Sequence, residues 1–198
     1  MEFMTLETPK EAVDASTVSE ITSYEPKHTR CCVSFGQTHY LYQKRRTNVA
    51  FPFVLHVGPN WRCMVFTFLV ILAPSLIFLL KYRSVSWISI VLVIMIILTF
   101  VSFSMVACSD PGIIREDYVN PQGIEEGVLC AHCRIRRPPN AVHCYECDVC
   151  IDGLDHHCPW TGKCIGKRTI WWFYLFLWMI TLHLTFSVSV LVYYIIGF

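Results

Sequence analysis

At 198 residues the chain has the length of one soluble domain, but 54% of its residues are apolar and only 16% are charged. Too few charges remain to coat a core built from so much apolar material, which excludes an ordinary water-soluble globule. The net charge of +1 is uninformative as a sum, and only its distribution along the chain carries information.

Residues 1–30 are rich in Glu, Thr and Ser with few large apolar groups, a composition that predicts disorder. The first 60 residues are polar, so no cleavable signal peptide is expected and the first apolar run is itself the insertion signal. Residues 31–61 mix aromatics with the basic run Gln43-Lys44-Arg45-Arg46 and lead to the membrane. Lys44, Arg45 and Arg46 suit lipid phosphates or, equally, a plain topology signal. The adjacent Cys31 and Cys32 are candidates for lipidation, or are unmodified thiols.

Three apolar runs follow. Cys63 to Leu80 is 18 residues without a charge, and Trp87 to Ser109 and Ile170 to Phe198 are equally uncharged. A hydrocarbon layer about 30 Å thick needs roughly 20 apolar residues in a helix, so these runs predict three membrane spans. The first is short and carries Pro74, which a membrane tolerates when neighbouring helices satisfy the freed carbonyl. Seven of the 16 Lys and Arg precede the first run and seven lie between Asp110 and Thr169, leaving only Lys81 and Arg83 between runs one and two. The positive-inside bias puts the amino terminus and the Cys-rich loop in the cytosol and the carboxyl terminus in the lumen. Cytosolic cysteines stay reduced, so this loop is metal-binding or catalytic and not a disulfide framework.

The predicted fold class is an α-helical polytopic membrane protein, with three transmembrane helices and a cytosolic zinc-stabilised Cys-rich loop domain between spans two and three. The expected division is a partly disordered cytosolic region at 1–60, spans one and two at 61–109, the Cys-rich catalytic domain at 110–169, and span three at 170–198. Pro111 and Gly112 stop the second helix. The loop after them is poor in apolar periodicity and is not expected to build a useful hydrophobic core, so something else must fold it.

That loop holds seven cysteines, at 130, 133, 144, 147, 150, 158 and 164, with histidines at 132, 143, 156 and 157. Cys130-x-x-Cys133 and Cys144-x-x-Cys147 have the spacing that lets two thiolates reach one tetrahedral zinc through a tight turn. The order Cys-x-x-Cys, His, Cys occurs twice, at 130, 133, 143, 150 and at 144, 147, 157, 164, each member shifted by 14. Two interleaved Cys3His zinc sites follow, with Cys130, Cys133, His143 and Cys150 in one and Cys144, Cys147, His157 and Cys164 in the other. His132 is left over, as a solvent-facing residue or a competing ligand. Cys158 is left over too.

A free cysteine is commonly a small buried hydrophobe. Here the predicted ligands His157 and Cys164 pin the backbone around Cys158, and His156 with Asp155 stands beside it. An imidazole can take the thiol proton while a carboxylate fixes its tautomer. Cys158 lies close before the third span, so a thiolate there could meet an acyl thioester at the bilayer surface.

Asp155-His156-His157-Cys158, behind a cysteine-rich run and between two spans, resembles the DHHC protein S-acyltransferases, or palmitoyltransferases. Asp110-Pro111-Gly112 matches a further motif of that family. The resemblance covers about residues 60–198. It implies that Cys158 takes a long-chain acyl group from palmitoyl-CoA and passes it to cysteines of substrate proteins, with His156 and Asp155 activating Cys158 and the two zinc ions structural. It also implies an acyl chain lying in a cavity between the transmembrane helices, with membrane lipid, acyl-CoA and cytosolic or membrane-associated proteins bearing juxtamembrane cysteines as partners. No nucleic-acid partner is expected. Family members usually have at least four spans and a cytosolic "TTxE"-like motif. This chain therefore reads as truncated after span three, with Thr169 where the family has asparagine and Phe173 keeping the following aromatic. The competing readings are a zinc-stabilised membrane interaction module, or a truncated relative without catalysis. The short first span leans towards the thinner early secretory membranes, the endoplasmic reticulum or Golgi.

Among the remaining candidates, Arg134, Arg136, Arg137, Lys163, Lys167 and Arg168 suit coenzyme A or lipid phosphates, or serve as orientation signals. Trp160 could roof a thioester or anchor at the interface, as Trp171 and Trp172 are expected to. His183, inside the third run, is a functional candidate or the donor of a helix-packing hydrogen bond.

Overall fold

A computed structural model describes residues 27–28, 33–43, 54–81, 87–115 and 127–196. The disorder expected for residues 1–30 falls outside the described residues except at Lys27–His28, which form a strand; the paired Cys31 and Cys32 and the basic Lys44, Arg45 and Arg46 lie outside them too.

The chain between residues 27 and 57, expected to be disordered up to 30 and then only to lead into the membrane, contains an antiparallel meander. Strands β1 (Lys27–His28), β2 (Val33–Phe35), β3 (Thr38–Gln43) and β4 (Val54–Val57) pair in chain order. Alternation puts Thr38 and Tyr40 of β3, and Val54 and His56 of β4, on the buried side.

Three helices follow: α1 (Trp61–Lys81), α2 (Trp87–Cys108) and α3 (Ile170–Ile196). By length and composition α2 and α3 can cross a membrane, while the strongly apolar part of α1, Trp61–Ile77, is shorter. Protein covers only 39% of the most apolar window of α2 and 17% of that of α3. These are not core helices of a soluble fold, because their outward faces are themselves apolar. Phe103 of α2 meets Phe68 of α1 and Phe176 of α3 at ring-centroid distances of 4.5 and 4.9 Å. Deeper in the bundle, Ser75 Oγ of α1 lies 2.8 Å from His183 Nε2 of α3, so His183 has the helix-packing hydrogen bond.

Between α2 and α3 the chain forms three two-stranded hairpins. They are β5–β6 (Val128–Leu129 with Arg136–Arg137), β7–β8 (Ala141–Cys144 with Val149–Asp152) and β9–β10 (His156–Cys158 with Lys163–Ile165). The Cys-rich loop does share a hydrophobic core. Ile113, Val149 and Ile151 pack with Phe35, Tyr40 and Val54 and with Cys144, Cys147 and Cys164. The loop supplies three aliphatic residues and three cysteines to that core and the amino-terminal sheet supplies the other three residues, which no count over the loop alone reveals.

Asp110 secures the passage from α2 to the hairpins. Its Oδ1 accepts N–H bonds from Gly112 and Ile113 at 2.8 and 3.0 Å, and its Oδ2 takes Arg115 and Arg168 at 3.1 and 3.2 Å. The Arg115 guanidinium also sits over the Tyr40 ring, 4.3 Å from its centroid, which draws the sheet into the same cluster.

Candidate active site and metal centres

The 14-residue echo is a structural repeat. Cys130 and Cys133 lie in the turn of β5–β6, and Cys144 and Cys147 in the turn of β7–β8. In each turn the backbone N–H of the second cysteine faces the first sulfur, at 3.4 and 3.5 Å, and the next residue is left-handed: Arg134 at φ 56 and Asp148 at φ 53. The remaining donors are cross-strand partners in the following hairpin, His143 with Cys150 and His157 with Cys164. Directly opposed residues share a face, so each hairpin offers one His–Cys pair to the turn before it.

The repeat also has a third copy. Adding 14 to Cys144, Cys147 and Asp148 gives Cys158, Thr161 and Gly162, and Gly162 is again left-handed at φ 85. Cys158 pairs with Lys163 as Cys144 pairs with Val149. Cys158 therefore occupies the first cysteine position of a third turn whose second cysteine is replaced by Thr161. The Thr161 hydroxyl donates to the Cys158 carbonyl at 3.1 Å instead of offering a metal a thiolate.

Both donor quartets fit zinc. Their ligand atoms lie within 4.8 Å of one another. Cys133 Sγ is 3.2 Å from His143 Nδ1 and 3.7 Å from Cys150 Sγ, and Cys164 Sγ is 3.5 Å from both Cys147 Sγ and His157 Nδ1. A tetrahedron with Zn–S bonds of 2.3 Å has edges of about 3.8 Å. Hydrogen bonding from Cys150 holds the Cys133 thiol down at about 6, against its burial, and bonds from Cys147 and Cys164 hold Cys144 far below its ordinary value. Their partners move the other way, with Cys147 pushed up to about 12 and Cys150 and Cys164 raised. Close sulfur–sulfur contacts of this kind suit thiolates that share a divalent cation.

The histidines are oriented from behind. His157 Nε2 lies 2.9 Å from Asn60 Oδ1 and 2.8 Å from Glu146 Oε2, so its N–H donates outward and Nδ1 faces the sulfurs. For His143 the outer carboxylate, Asp148, is 3.8 Å away, beyond hydrogen-bond reach. His143 is instead stacked on His132, with ring centroids 4.7 Å apart, so His132 is a packing partner and not one of the four donors.

Cys158 belongs to neither quartet. It is buried in the apolar cluster of Ile71, Phe103, Val106, Ala107, Cys108 and Phe176, where all three helices meet. His156, two residues earlier in β9 and so on the same strand face, packs its ring 5.2 Å from Phe173 of α3. His156 Nδ1 lies 2.7 Å from Asp155 Oδ2, so an N–H donated there leaves Nε2 with the free lone pair. Trp160 is exposed, and its carbonyl accepts from Thr67 Oγ1 of α1 at 3.0 Å. Thr169 is buried, with its hydroxyl bonded to the backbone of Gly166 at the head of α3.

The basic candidates separate. Arg134 and Arg136 are exposed, while Lys167 pairs with Asp152 at 3.3 Å and Arg168 with Asp110. Lys163, a candidate for phosphate binding or an orientation signal, is fully buried and unavailable for phosphate. Its Nζ lies 3.0 Å from His56 Nδ1 and 3.1 Å from the His56 carbonyl, with the Ser109 carbonyl as a third partner. Burial pulls the amine down to about 8. Burial, then the Lys163 charge, also holds His56 well below its usual value, so its neutral ring accepts through Nδ1.

The DHHC palmitoyltransferase family profile matches residues 124–198. Palmitoyltransferase ZDHHC5 of Rattus norvegicus is 38% identical over 108 residues, covering 46% of this chain and 15% of its own length. Palmitoyltransferase ZDHHC9 of Danio rerio is 51% identical over 88 residues, covering 44% of this chain and 20% of its own length. The chain thus spans between 15% and 20% of these two curated relatives. Residues 124–198, with Asp155-His156-His157-Cys158 among them, are the part of this chain that is similar to the DHHC palmitoyltransferases.

Proposed function

We propose that this chain is a membrane-bound protein S-acyltransferase that moves a palmitoyl group from palmitoyl-CoA to Cys158 and then to cysteines of substrate proteins. The observation that carries the reading is the position of Cys158, outside both donor quartets and buried where α1, α2 and α3 converge.

In the first step His156 Nε2 takes the Cys158 proton and the sulfur attacks the thioester carbonyl carbon. A C–S bond forms to Cys158 as the bond to coenzyme A breaks, and the leaving thiolate takes the proton from His156. Asp155 fixes the imidazole tautomer and stabilises the imidazolium. In the second step a substrate thiol, deprotonated by the same base, attacks the acyl-enzyme and Cys158 leaves. Thioester is exchanged for thioester in both steps.

Zinc, bound by Cys130, Cys133, His143 and Cys150 and by Cys144, Cys147, His157 and Cys164, holds the hairpins together and has no part in the transfer. The acyl chain runs from Cys158 into the helical bundle. A cavity of about 280 Å³ lined by Pro74, Ser75, Leu92, Leu184 and Val188 supports this. From Phe176 beside Cys158 to Leu184 on the cavity wall is eight residues of α3, about 12 Å along the helix.

The domain division proposed is residues 1–60 cytosolic, 61–109 two spans, 110–169 the cytosolic zinc-binding catalytic domain and 170–198 the third span. The exposed apolar faces of α1, α2 and α3 support three spans, and the lysines and arginines between 110 and 169 support a cytosolic catalytic domain. The proposed location is an early secretory membrane, Golgi or endoplasmic reticulum. The partners proposed are acyl-CoA, membrane lipid and proteins with juxtamembrane cysteines.

Incubating the purified full chain with labelled palmitoyl-CoA tests the reading. Hydroxylamine-sensitive label on the wild type, absent from Cys158→Ser, supports it. A wild type that takes up no label while keeping its zinc would leave an interaction module or a relative without catalysis.

A further inference from the structure

The three hairpins differ at one matched position. The residue opposite the first turn cysteine is Ile135 in the first, Val149 in the second and Lys163 in the third. Ile135 and Val149 are buried aliphatics, so this hairpin geometry is compatible with an apolar residue there. Lys163 is 0% exposed, and a buried amine is costly unless its hydrogens are taken up. Three acceptors meet its three donors: His56 Nδ1, the His56 carbonyl and the Ser109 carbonyl. They belong to two other elements. His56 is in β4, and Ser109 directly follows α2, where the helix dipole presents its negative end.

Lys163 is also the ladder partner of Cys158, and the last turn of α2, Val106 to Cys108, shares an apolar cluster with Cys158. We propose that Lys163 is a positioning residue, whose side chain fastens the Cys158 hairpin to the carboxyl end of α2 and to β4 and so fixes where the thiol meets the acyl thioester. This rests on the S-acyltransferase reading.

The test compares wild type, Lys163→Met and His56→Leu as full chains in lipid nanodiscs, measuring zinc content and single-turnover self-acylation by palmitoyl-CoA. Zinc is expected to stay at about two per chain in all three. The half-saturating palmitoyl-CoA concentration should not change, while the maximal rate falls about tenfold in both variants. His56→Asn, whose Oδ1 keeps an acceptor near the place of Nδ1, should recover most of the rate lost in His56→Leu.

A wild-type rate in Lys163→Met overturns the inference. So does a raised half-saturation at unchanged maximal rate, which would make Lys163 a ligand of the donor's phosphates. Rate loss accompanied by zinc loss in both variants overturns it as well, reducing the contact to a folding element. A second readout is independent of catalysis: alkylation of Cys158 by a water-soluble maleimide should speed up about tenfold in Lys163→Met, as local opening uncovers the thiol. Unchanged alkylation refutes the fastening even if no protein accepts acyl. Absence of label on the wild type, with faster alkylation of the variant, would strike the S-acyltransferase reading and leave the fastening in place.

Discussion

His157 and Cys158 are consecutive in β9 and serve opposite faces of one hairpin. His157 Nδ1 lies 3.6, 3.4 and 3.5 Å from the sulfurs of Cys144, Cys147 and Cys164, whereas Cys158 packs among helix residues of the bundle. Strand alternation gives one residue to the donor quartet and the next to the helical bundle. A scaffold ligand and a free thiol can therefore be neighbours without sharing an ion.

Alternation makes the two adjacent histidines separable by mutation. His157→Ala should lose about one of two zinc ions per chain and with it the second hairpin's support. His156→Ala should keep both ions and slow self-acylation by about 10²–10⁴-fold, the usual worth of a general base. Metal analysis beside single-turnover labelling reads both. Equal zinc loss in the two variants would mean that the alternation is assigned backwards.

Gly36 couples the amino-terminal sheet to the second metal turn. Its φ is 52°, and a Cβ there would come within 2.6 Å of the Cys147 carbonyl and closer still to that of Asp148. Gln37 N–H also donates to the Cys147 carbonyl at 2.9 Å. Gly36→Ala is expected to destabilise the zinc-loaded protein by roughly 1–3 kcal/mol, from backbone strain plus the clash. Thermal unfolding measures this, and an unchanged midpoint would show that the sheet does not bear on the metal turn.

Asp110 sets an acid limit. Burial pushes its carboxyl up, but the backbone N–H groups of Ile113 and Gly112 and the Arg168 guanidinium hold it below its ordinary value. A carboxyl lower in the folded than in the unfolded chain contributes stability above its unfolded value, about 3.9, and that contribution is lost as pH falls through the folded value. At neutral pH Asp110→Asn should cost about 1.5–3 kcal/mol, because the charge-assisted bonds to Arg115 and Arg168 are weakened. The gap to wild type should narrow below about pH 4. Denaturant unfolding of both proteins across pH checks this, and a constant gap contradicts it.

The helices were legible because long uncharged apolar runs have few other uses in a chain with so little charge. The two donor quartets were legible because ligand chemistry fixes residue type as well as spacing, so a shift of 14 maps Cys on Cys and His on His. The third copy was hidden because Thr161 and Gly162 keep the backbone of the turn but not its ligands. The amino-terminal meander escaped because its strands run only two to six residues, with a register break between Tyr40 and Tyr42, and its buried face is completed by hairpins about 100 residues away. Lys163 reads as a surface lysine in any local window, since its acceptors come from residues 56 and 109.

Native mass spectrometry of the full chain after reaction with palmitoyl-CoA, followed by mapping of the adduct, tests the free thiol most directly. One acyl group is expected on Cys158 while about two zinc ions remain bound. An acyl group on another cysteine, or a Cys158 sulfur found coordinating metal, would contradict it.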